Sequence, residues 1–247
     1  MRVSSKTHLG LIRENNEDAL LVASPYLFAV ADGMGGSNAG EVASHDALNI
    51  FRAVLEKQLE NGQSVSYAFR KAVSEANENI YNLSNEQLKY KGMGTTLTAL
   101  YIDKYKFAHV VQVGDSRLYR FRNGKLTLIT EDQTLVGEMV KAGKITRMEA
   151  KLHPHKNLLS QAIGVSKIIQ AELSRFEIKE KDVLLLCSDG LSNMLSEEEI
   201  ADGLSLGEPK KCVEQLLEQA LKNGGRDNIS LIVIDEFGKE DSDGANN

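Results

Sequence analysis

The sequence predicts an α+β fold with antiparallel β-sheets inside and helices packed outside. Two long amphipathic segments follow one another early in the chain, at 39–59 and 65–88. A run of short apolar strands comes next, at 95–130, and contains an Asn123-Gly124 turn. Two adjacent helices followed by a strand meander do not fit the βαβ alternation of a parallel sheet. Antiparallel sheets with helices layered outside are therefore expected.

The first half of the chain gives clear signals for these elements. A hairpin is expected around Pro25, with strands at 19–22 and 27–31. In both amphipathic segments apolar residues recur at helical spacing, and Gly62 separates the two helices. Asn-Gly is a strong signal for a two-residue hairpin turn. The strands of the next block are expected at 95–102, 106–113, 116–122 and 125–130.

The last third of the chain alternates strands with capped helices. Ser196 and Glu199 form a capping-box pattern at the start of one helix. Pro209 begins the next helix and Gly224-Gly225 ends it. The remaining strands are expected at 168–176, 183–187 and 229–234.

The segment 131–164, called the flap below, differs from its surroundings. It is polar and contains a short helical pattern that Gly143 closes. A second short helix begins at Thr146, with Glu149 completing a capping box. Long excursions between strands usually serve as lids or binding loops. We therefore predict a binding role for the flap.

Length and composition favour one domain. No Pro-, Ser- or Gly-rich linker divides the 247 residues, so residues 1–237 are expected to form a single domain. Residues 238–247 have no large apolar side chain and are expected to be disordered. The net charge of −6 argues against a nucleic-acid partner.

The sequence also predicts a soluble, cytoplasmic protein. It contains no apolar run of about 18 residues that could span a membrane, and its first residues lack an apolar signal core. Its two cysteines, Cys187 and Cys212, do not make a disulfide framework.

Acidic motifs at strand ends carry the functional signal. Asp32, Asp189 and Asp227 each lie beside an apolar, strand-like run, at 28–31, 183–187 and 229–234 respectively. A carboxylate at the end of a buried strand costs free energy unless a cation or hydrogen bonds satisfy it. Together with Asn16-Glu17-Asp18, these carboxylates predict a shared divalent metal site. Arg13, just upstream, suggests chemistry on a phosphate.

A family resemblance rests on motifs that occur in order along residues 3–236. The chain resembles the metal-dependent Ser/Thr protein phosphatases of type 2C, most closely the short, single-domain bacterial members. The resemblance implies a four-layer αββα sandwich, with two antiparallel sheets flanked by helix pairs and metals in a cleft at one end. The motifs are Arg13 with Asn16-Glu17-Asp18, Ala31-Asp32-Gly33-Met34-Gly35-Gly36, Gly92-Met93-Gly94-Thr95-Thr96, Val113-Gly114-Asp115-Ser116-Arg117, Cys187-Ser188-Asp189-Gly190-Leu191 and Asp227-Asn228-Ile229.

This resemblance implies a two-ion centre. Asp32 would bridge two divalent cations, and the Gly33 carbonyl would bind one of them, with glycine allowing the backbone to approach closely. Asp189 and Asp227 would hold the other ion. Ligation by oxygen atoms alone suits Mn²⁺ or Mg²⁺ rather than zinc. Two such ions can deprotonate a bridging water, and the hydroxide would attack phosphorus without a phosphoenzyme intermediate.

Further residues would support this chemistry. Asp18 would orient coordinated waters with help from Glu17. Arg13 would be catalytic together with Asp32, since its planar fork binds two phosphate oxygens. The resemblance places a third, weaker ion on Asp115, although the residues alone also allow Asp115 to cap a turn. The motif 92–96 indicates a tight backbone approach, because no P-loop lysine follows it.

Three positions depart from the family pattern. Met34 stands where many eukaryotic members carry a histidine proposed as general acid. Ser37 stands where bacterial members usually have histidine, and Gln133 replaces the usual flap histidine. All three changes spare the metal ligands. They are expected to affect only the source of the leaving-group proton, substrate contacts and rate.

The leading functional hypothesis is a phosphoserine/phosphothreonine protein phosphatase. It would be a monomer that acts on phosphorylated proteins and opposes a bacterial Ser/Thr kinase. One alternative is a non-catalytic, phosphoprotein-binding scaffold of the same fold, and another is a small-molecule phosphoesterase. Retention of Arg13, Asp32, Asp189 and Asp227 argues against the scaffold, which needs none of them. Cysteine-based phosphatase chemistry is excluded because no arginine follows either cysteine at the required six-residue spacing.

Overall fold

Eleven strands and seven α-helices form the part of the chain that the computed structural model describes, residues 1–23, 26–35 and 39–237. The strands are β1 (Arg2–His8), β2 (Asp18–Ala23), β3 (Leu27–Met34), β4 (Gly94–Thr95), β5 (Leu97–Ile102), β6 (Phe107–Val113), β7 (Arg117–Arg122), β8 (Lys125–Leu128), β9 (Glu172–Glu177), β10 (Val183–Cys187) and β11 (Ile229–Asp235). The helices are α1 (Ala39–Glu60), α2 (Val65–Glu86), α3 (Leu135–Lys141), α4 (Arg147–Leu152), α5 (Asp189–Ser192), α6 (Glu197–Leu204) and α7 (Pro209–Lys222), with a 3₁₀ turn at Leu88–Tyr90.

The strands form two antiparallel sheets. One sheet has the order β1-β11-β10-β7-β8, and the other has the order β2-β3-β5-β6-β9 with β4 paired to β3. The strand block at 95–130 therefore divides between them, because β5 and β6 belong to one sheet and β7 and β8 to the other.

Three apolar clusters mark the interfaces between four layers. Phe28 and Leu100 from one sheet meet Leu186 and Ile232 from the other in the middle of the sandwich. Burial of apolar area of this kind is the main favourable contribution to folding. The outer face of the sheet containing β3 packs on α1 and α2, and the outer face of the other sheet packs on α6 and α7. The predicted αββα sandwich is confirmed.

The predicted helix starts are also confirmed. Ser196 accepts a hydrogen bond from the Glu199 backbone N–H at 3.2 Å, and the Glu199 carboxylate accepts one from the Ser196 N–H at 2.8 Å. Thr146 and Glu149 form the same capping box at α4 within the flap. Each box satisfies N–H groups that the first helical turn leaves unpaired.

Two elements differ from the sequence prediction. β1 was not expected because it is a polar edge strand, of which only one side pairs, with β11. The strand predicted at 168–176 begins only at Glu172. The backbone that precedes this strand is bonded to α2 instead, since the buried Asn77 side chain of α2 donates to the carbonyls of Ser166 and Lys167.

Some expectations concern residues beyond the described ranges. The turn at Pro25, the Ser37 departure and the expected disorder of 238–247 lie outside the described residues. Among the helices of the described ranges, none has both the length and the apolar character needed to cross a membrane.

Candidate metal centre

Four separate parts of the chain bring five aspartates to one end of the sandwich. The pairing of β2 with β3 places Asp18 opposite Asp32. Asp189 begins α5 after the single residue Ser188 that follows β10, and only Asn228 separates Asp227 from β11, which pairs with β10. Asp115 lies in the turn between β6 and β7. We call these five residues the carboxylate cluster.

A cavity of about 390 Å³ opens onto the carboxylate cluster. Asp32, Asp115, Asp189 and Asp227 line this cavity, and Arg13 lines it with them. The structure therefore brings together the residues that the sequence predicted for ion and phosphate binding.

Asp18 lies opposite the cavity-lining Asp32, and its surroundings show whether a cation fits here. It is buried, and its Oδ2 accepts a hydrogen bond from Ser188 Oγ at 2.8 Å. Its Oδ1 is also buried but has no hydrogen-bond partner within the described part of the chain. A buried, unpaired carboxylate oxygen carries a desolvation cost that a cation or its bound water would offset. The residues present therefore fit a divalent ion.

The electrostatics of the cluster point the same way. Burial, together with the charges of Asp189 and Asp227, raises the pKa of Asp18 to about 7, although hydrogen bonds from Ser230 and Ser188 act in the opposite direction. Burial and the neighbouring carboxylates also raise the pKa of Asp32 well above its usual range. Burial and the charge of Asp227 raise the pKa of Asp189 as well. Cations would stabilise the ionised carboxylates, because buried like charges cannot all ionise alone.

The carboxylates alone do not enclose an ion. Within the described ranges, no three His, Cys, Asp or Glu side chains converge closely enough to form a complete cage. The oxygen-donor side chains of the cluster suit Mg²⁺ or Mn²⁺, and Mg²⁺ usually keeps several waters and takes only one or two protein carboxylates.

Two threonines fix the backbone of Asp32. The Asp32 N–H donates to Thr96 Oγ1 at 2.9 Å, while Thr95 Oγ1 and the Thr96 N–H both donate to the Asp32 carbonyl. The motif 92–96 is thus a structural support, as predicted. Gly33 is needed for packing as well, since a Cβ there would lie 2.1 Å from the Gly40 carbonyl oxygen at the start of α1.

Gln133 positions the turn that carries Asp115. Its side chain is buried, and its Oε1 accepts from the Gly114 N–H at 2.9 Å. Its Nε2 donates to the Gln170 carbonyl at 3.3 Å. The expected effect of this departure on substrate contacts and rate stays a prediction; the structure shows that the buried side chain bonds the backbone of the turn that carries Asp115. Burial raises the pKa of Asp115 to about 8, and the charge of Asp189 is the next largest cause.

Asn228 holds the segment that carries Arg13, a role that the sequence did not predict. Its side-chain amide donates to the carbonyls of Leu9 and Asn15, both at 2.9 Å, and its Oδ1 accepts from the Glu17 N–H at 2.8 Å. Asn228 follows Asp227 directly, so it ties the N-terminal loop to a cluster residue. The one feature of the sequence that pointed to Asn228 is its position in the Asp227-Asn228-Ile229 motif.

Arg13 contacts the cluster directly. Its Nη2 donates to Asp227 Oδ2 at 2.8 Å, and this hydrogen bond raises the pKa of the guanidinium. The Arg13 side chain remains about half exposed, at 52%. A partly exposed guanidinium beside the cavity can bind an incoming phosphate while it stays near Asp227.

Glu17 lies beside the centre. Its carboxylate accepts a hydrogen bond from the backbone N–H of Gly40 at the N-terminus of α1, where the helix dipole favours negative charge. Burial raises the pKa of Glu17 nevertheless. Its predicted help to Asp18 in orienting water stays a prediction.

Cys187 has no place in the chemistry. It is fully buried at the end of β10, and burial raises its pKa to about 12. A protonated, buried thiol is not a nucleophile. The structure thus agrees with the sequence-based exclusion of cysteine catalysis.

Comparisons with known proteins give one consistent family. The model of the family described as protein phosphatase 2C matches residues 13–229. The chain is 38% identical over 235 residues to the serine/threonine protein phosphatase PstP of Mycobacterium tuberculosis, covering 95% of this chain and 45% of PstP. It therefore spans under half the length of that relative. It is 35% identical over 242 residues to the serine/threonine phosphatase stp of Listeria welshimeri, covering 95% of this chain and 96% of stp.

A solved structure agrees with these relatives. The crystal structure of the catalytic domain of PstP in complex with two manganese ions superposes with a TM-score of 0.83 at 36% identity. The superposition covers 94% of this chain and 96% of that chain.

Proposed function

The chain belongs to the protein phosphatase 2C family, and we propose that it is a metal-dependent protein-serine/threonine phosphatase. The observation that carries this proposal is the meeting of four half-buried aspartates with Arg13 at a single cavity, with a fifth, buried aspartate, Asp18, paired opposite Asp32. A scaffold that only binds phosphoproteins would gain nothing from mutually repelling carboxylates, which oppose folding unless cations neutralise them.

The cofactor is Mn²⁺ or Mg²⁺, with two ions in the core site. Support comes from the two manganese ions of the PstP catalytic domain and from the oxygen-only side chains of the cluster. When bound, such ions activate water for attack on phosphorus and stabilise the charge that develops. Asp32, the Gly33 carbonyl, Asp189 and Asp227 are the groups that would hold them.

The chain's own residues position the substrate around this centre. Arg13 would bind phosphate oxygens with its planar fork, at the wall that Asp227 also lines. Asp18 would hold a water through its buried Oδ1, which has no other partner among the described residues. Thr95 and Thr96 keep Asp32 in place, so the site costs little reorganisation during the reaction.

A third ion on Asp115 is part of the proposal. Asp115 lines the cavity, and Gln133 fixes its turn. Asp115→Ala should retain the two-ion centre but lose most turnover. A turnover equal to that of the parent at saturating Mn²⁺ would remove the third ion from the account.

The substrates would be phosphorylated proteins, and the enzyme would oppose a Ser/Thr kinase. The names of the relatives support this substrate class, since PstP is named a serine/threonine protein phosphatase and stp a serine/threonine phosphatase. The predicted monomeric state and cytoplasmic location remain proposals that rest on the sequence.

The decisive experiment is phosphate release from a phosphothreonine peptide. The enzyme is stripped of metal with EDTA and then assayed with and without Mn²⁺. We expect release only with Mn²⁺, and none from Asp189→Ala, which should retain its fold by circular dichroism. Sugar phosphates and nucleotides are assayed separately as alternative substrates, and faster turnover of these compounds than of the peptide would favour a small-molecule phosphoesterase instead.

A further inference from the structure

The cavity at the metal centre has a lining of mixed chemistry. Arg13 and the cluster aspartates form the part that we call the polar wall. Three apolar residues line the same cavity, and we call them the apolar wall: Met34, at the end of β3, and Leu158 and Val165, from the end of the flap and just beyond it. Polar residues of the same segment also line the cavity, namely Asn157, Ser160, Gln161 and Ser166. Leu158 and Val165 are 54% and 52% exposed, although both are apolar. Exposed apolar surface that is continuous with a functional site usually marks a binding surface.

The apolar wall is built into the fold. A Cβ on Gly94 would lie 2.8 Å from Val165 Cγ2 and 3.0 Å from Met34 Cε, so both side chains contact this glycine closely. Glycine is required at Gly94 because any larger residue would push the two side chains away. Val165 and Met34 therefore form one continuous surface.

The backbone on either side of Val165 is anchored to the core. Ile163 is fully buried, and it exchanges backbone hydrogen bonds of 2.9 and 3.0 Å with Thr95. The buried Asn77 of α2 accepts from the Gly164 N–H at 2.8 Å and donates to the Ser166 carbonyl at 2.9 Å. Leu158 is held in turn, because its carbonyl accepts from the first N–H of α3 at 2.7 Å. The wall is thus held in place before any ligand arrives.

A phosphate group does not bind to the apolar wall. Phosphate has five non-hydrogen atoms, and its oxygens bind cations and N–H donors. The cavity of about 390 Å³ lies within the roughly 300–1,000 Å³ range of pockets that hold larger ligands. A second part of the substrate therefore has room beside the phosphate, and its chemistry must match Met34, Leu158 and Val165.

We propose that the apolar wall selects protein substrates with an apolar side chain next to the phosphorylated residue. This inference rests on the proposed phosphatase function. Because the wall shares its cavity with the polar wall, the bound side chain must be adjacent to the phosphorylated residue. The preformed wall avoids the ordering cost that a mobile surface would incur on binding. An apolar contact of this kind typically changes kcat/KM by about tenfold or more.

The test uses two phosphothreonine peptides that differ only beside the phosphorylated residue, where one has leucine on both sides and the other has serine. We expect the parent enzyme to prefer the leucine peptide by about tenfold in kcat/KM. In the double variant Leu158→Ser/Val165→Ser this ratio should fall close to one. Leu88→Ser is the matched control, since Leu88 is 90% exposed and lies outside the cavity lining, and it should keep the parent's ratio.

The outcomes separate this inference from the proposed function. Equal turnover of both peptides by the parent would overturn the selection of apolar neighbours and leave the phosphatase function intact. A parent that hydrolyses neither peptide, nor free O-phosphoserine, with Mn²⁺ present would overturn the proposed function itself. If the double variant kept the peptide preference but lost a dimer seen for the parent by size-exclusion chromatography, the wall would be an interface between copies, and the inference would be wrong.

Discussion

Substitution of Arg13 separates an effect on catalysis from an effect on stability most clearly. In the structure its Nη2 donates to Asp227 Oδ2 at 2.8 Å, and the two side chains are 52% and 35% exposed. An ion pair this exposed contributes roughly 0–1 kcal/mol to the free energy of unfolding. Arg13→Ala should therefore leave the stability of the fold almost unchanged.

The catalytic effect of Arg13→Ala should be much larger. Each charge-assisted hydrogen bond from the guanidinium to phosphate contributes roughly 1.5–3 kcal/mol. Since about 1.4 kcal/mol corresponds to a factor of ten, loss of even one bond lowers kcat/KM by about tenfold to about a hundredfold. Arg13→Lys should recover only part of this, because an ammonium keeps the charge and loses the planar fork.

Three measurements decide the matter. They are kcat/KM on a phosphothreonine peptide, urea denaturation, and Mn²⁺ affinity by calorimetry. Mn²⁺ affinity should stay equal to that of the parent or increase, because a competing cation leaves Asp227. If Arg13→Ala kept the parent's kcat/KM, Arg13 would be a surface residue without a phosphate contact.

Two other substitutions and one shortening of the flap test further parts of the account. Gln133→Ala leaves the buried Gly114 N–H unpaired, so the free energy of unfolding should fall by about 1–3 kcal/mol in urea denaturation, and turnover should fall because the Asp115 turn loosens. A parent-like turnover would show that the turn needs no support. Shortening 140–151 of the flap should reduce activity on phosphoproteins far more than on para-nitrophenyl phosphate; equal losses on both would contradict the recognition role. Burial disfavours the ionised form of Asp103, but hydrogen bonds from His109 and from two backbone N–H groups outweigh burial and lower the pKa of Asp103. The ionised Asp103 therefore stabilises the fold fully above about pH 4, and this stabilisation is lost as the pH falls further. Asp103→Asn should therefore lower stability at pH 7, and the difference from the parent should shrink below pH 4; a difference that stayed constant with pH would refute this.

The sequence predicted the layers and the aspartates that line the cavity because both leave local signals. Helical periodicity indicated α1 and α2, and capping boxes marked α4 and α6 to the residue. Asp32, Asp189 and Asp227 were recognisable since each adjoins a strongly apolar strand.

What the sequence could not predict depends on contacts between distant residues. The roles of Asn77, Gln133 and Asn228 come from side-chain hydrogen bonds to backbone 19 to 219 residues away in the chain. The sequence of β1 shows no apolar alternation, because β1 is held in the sheet by its backbone pairing with β11 and not by burial of apolar side chains. The late start of β9 follows from Asn77, which holds the backbone ahead of it.

The most direct test of the central claim is calorimetric titration of the metal-stripped protein with Mn²⁺ near pH 7. If the carboxylate cluster is a metal centre, the parent should bind at least two ions, as the PstP catalytic domain does, and Asp32→Ala should lose this binding while it remains folded. Mn²⁺ binding in Asp32→Ala equal to that of the parent, or no binding by the parent, would contradict the account.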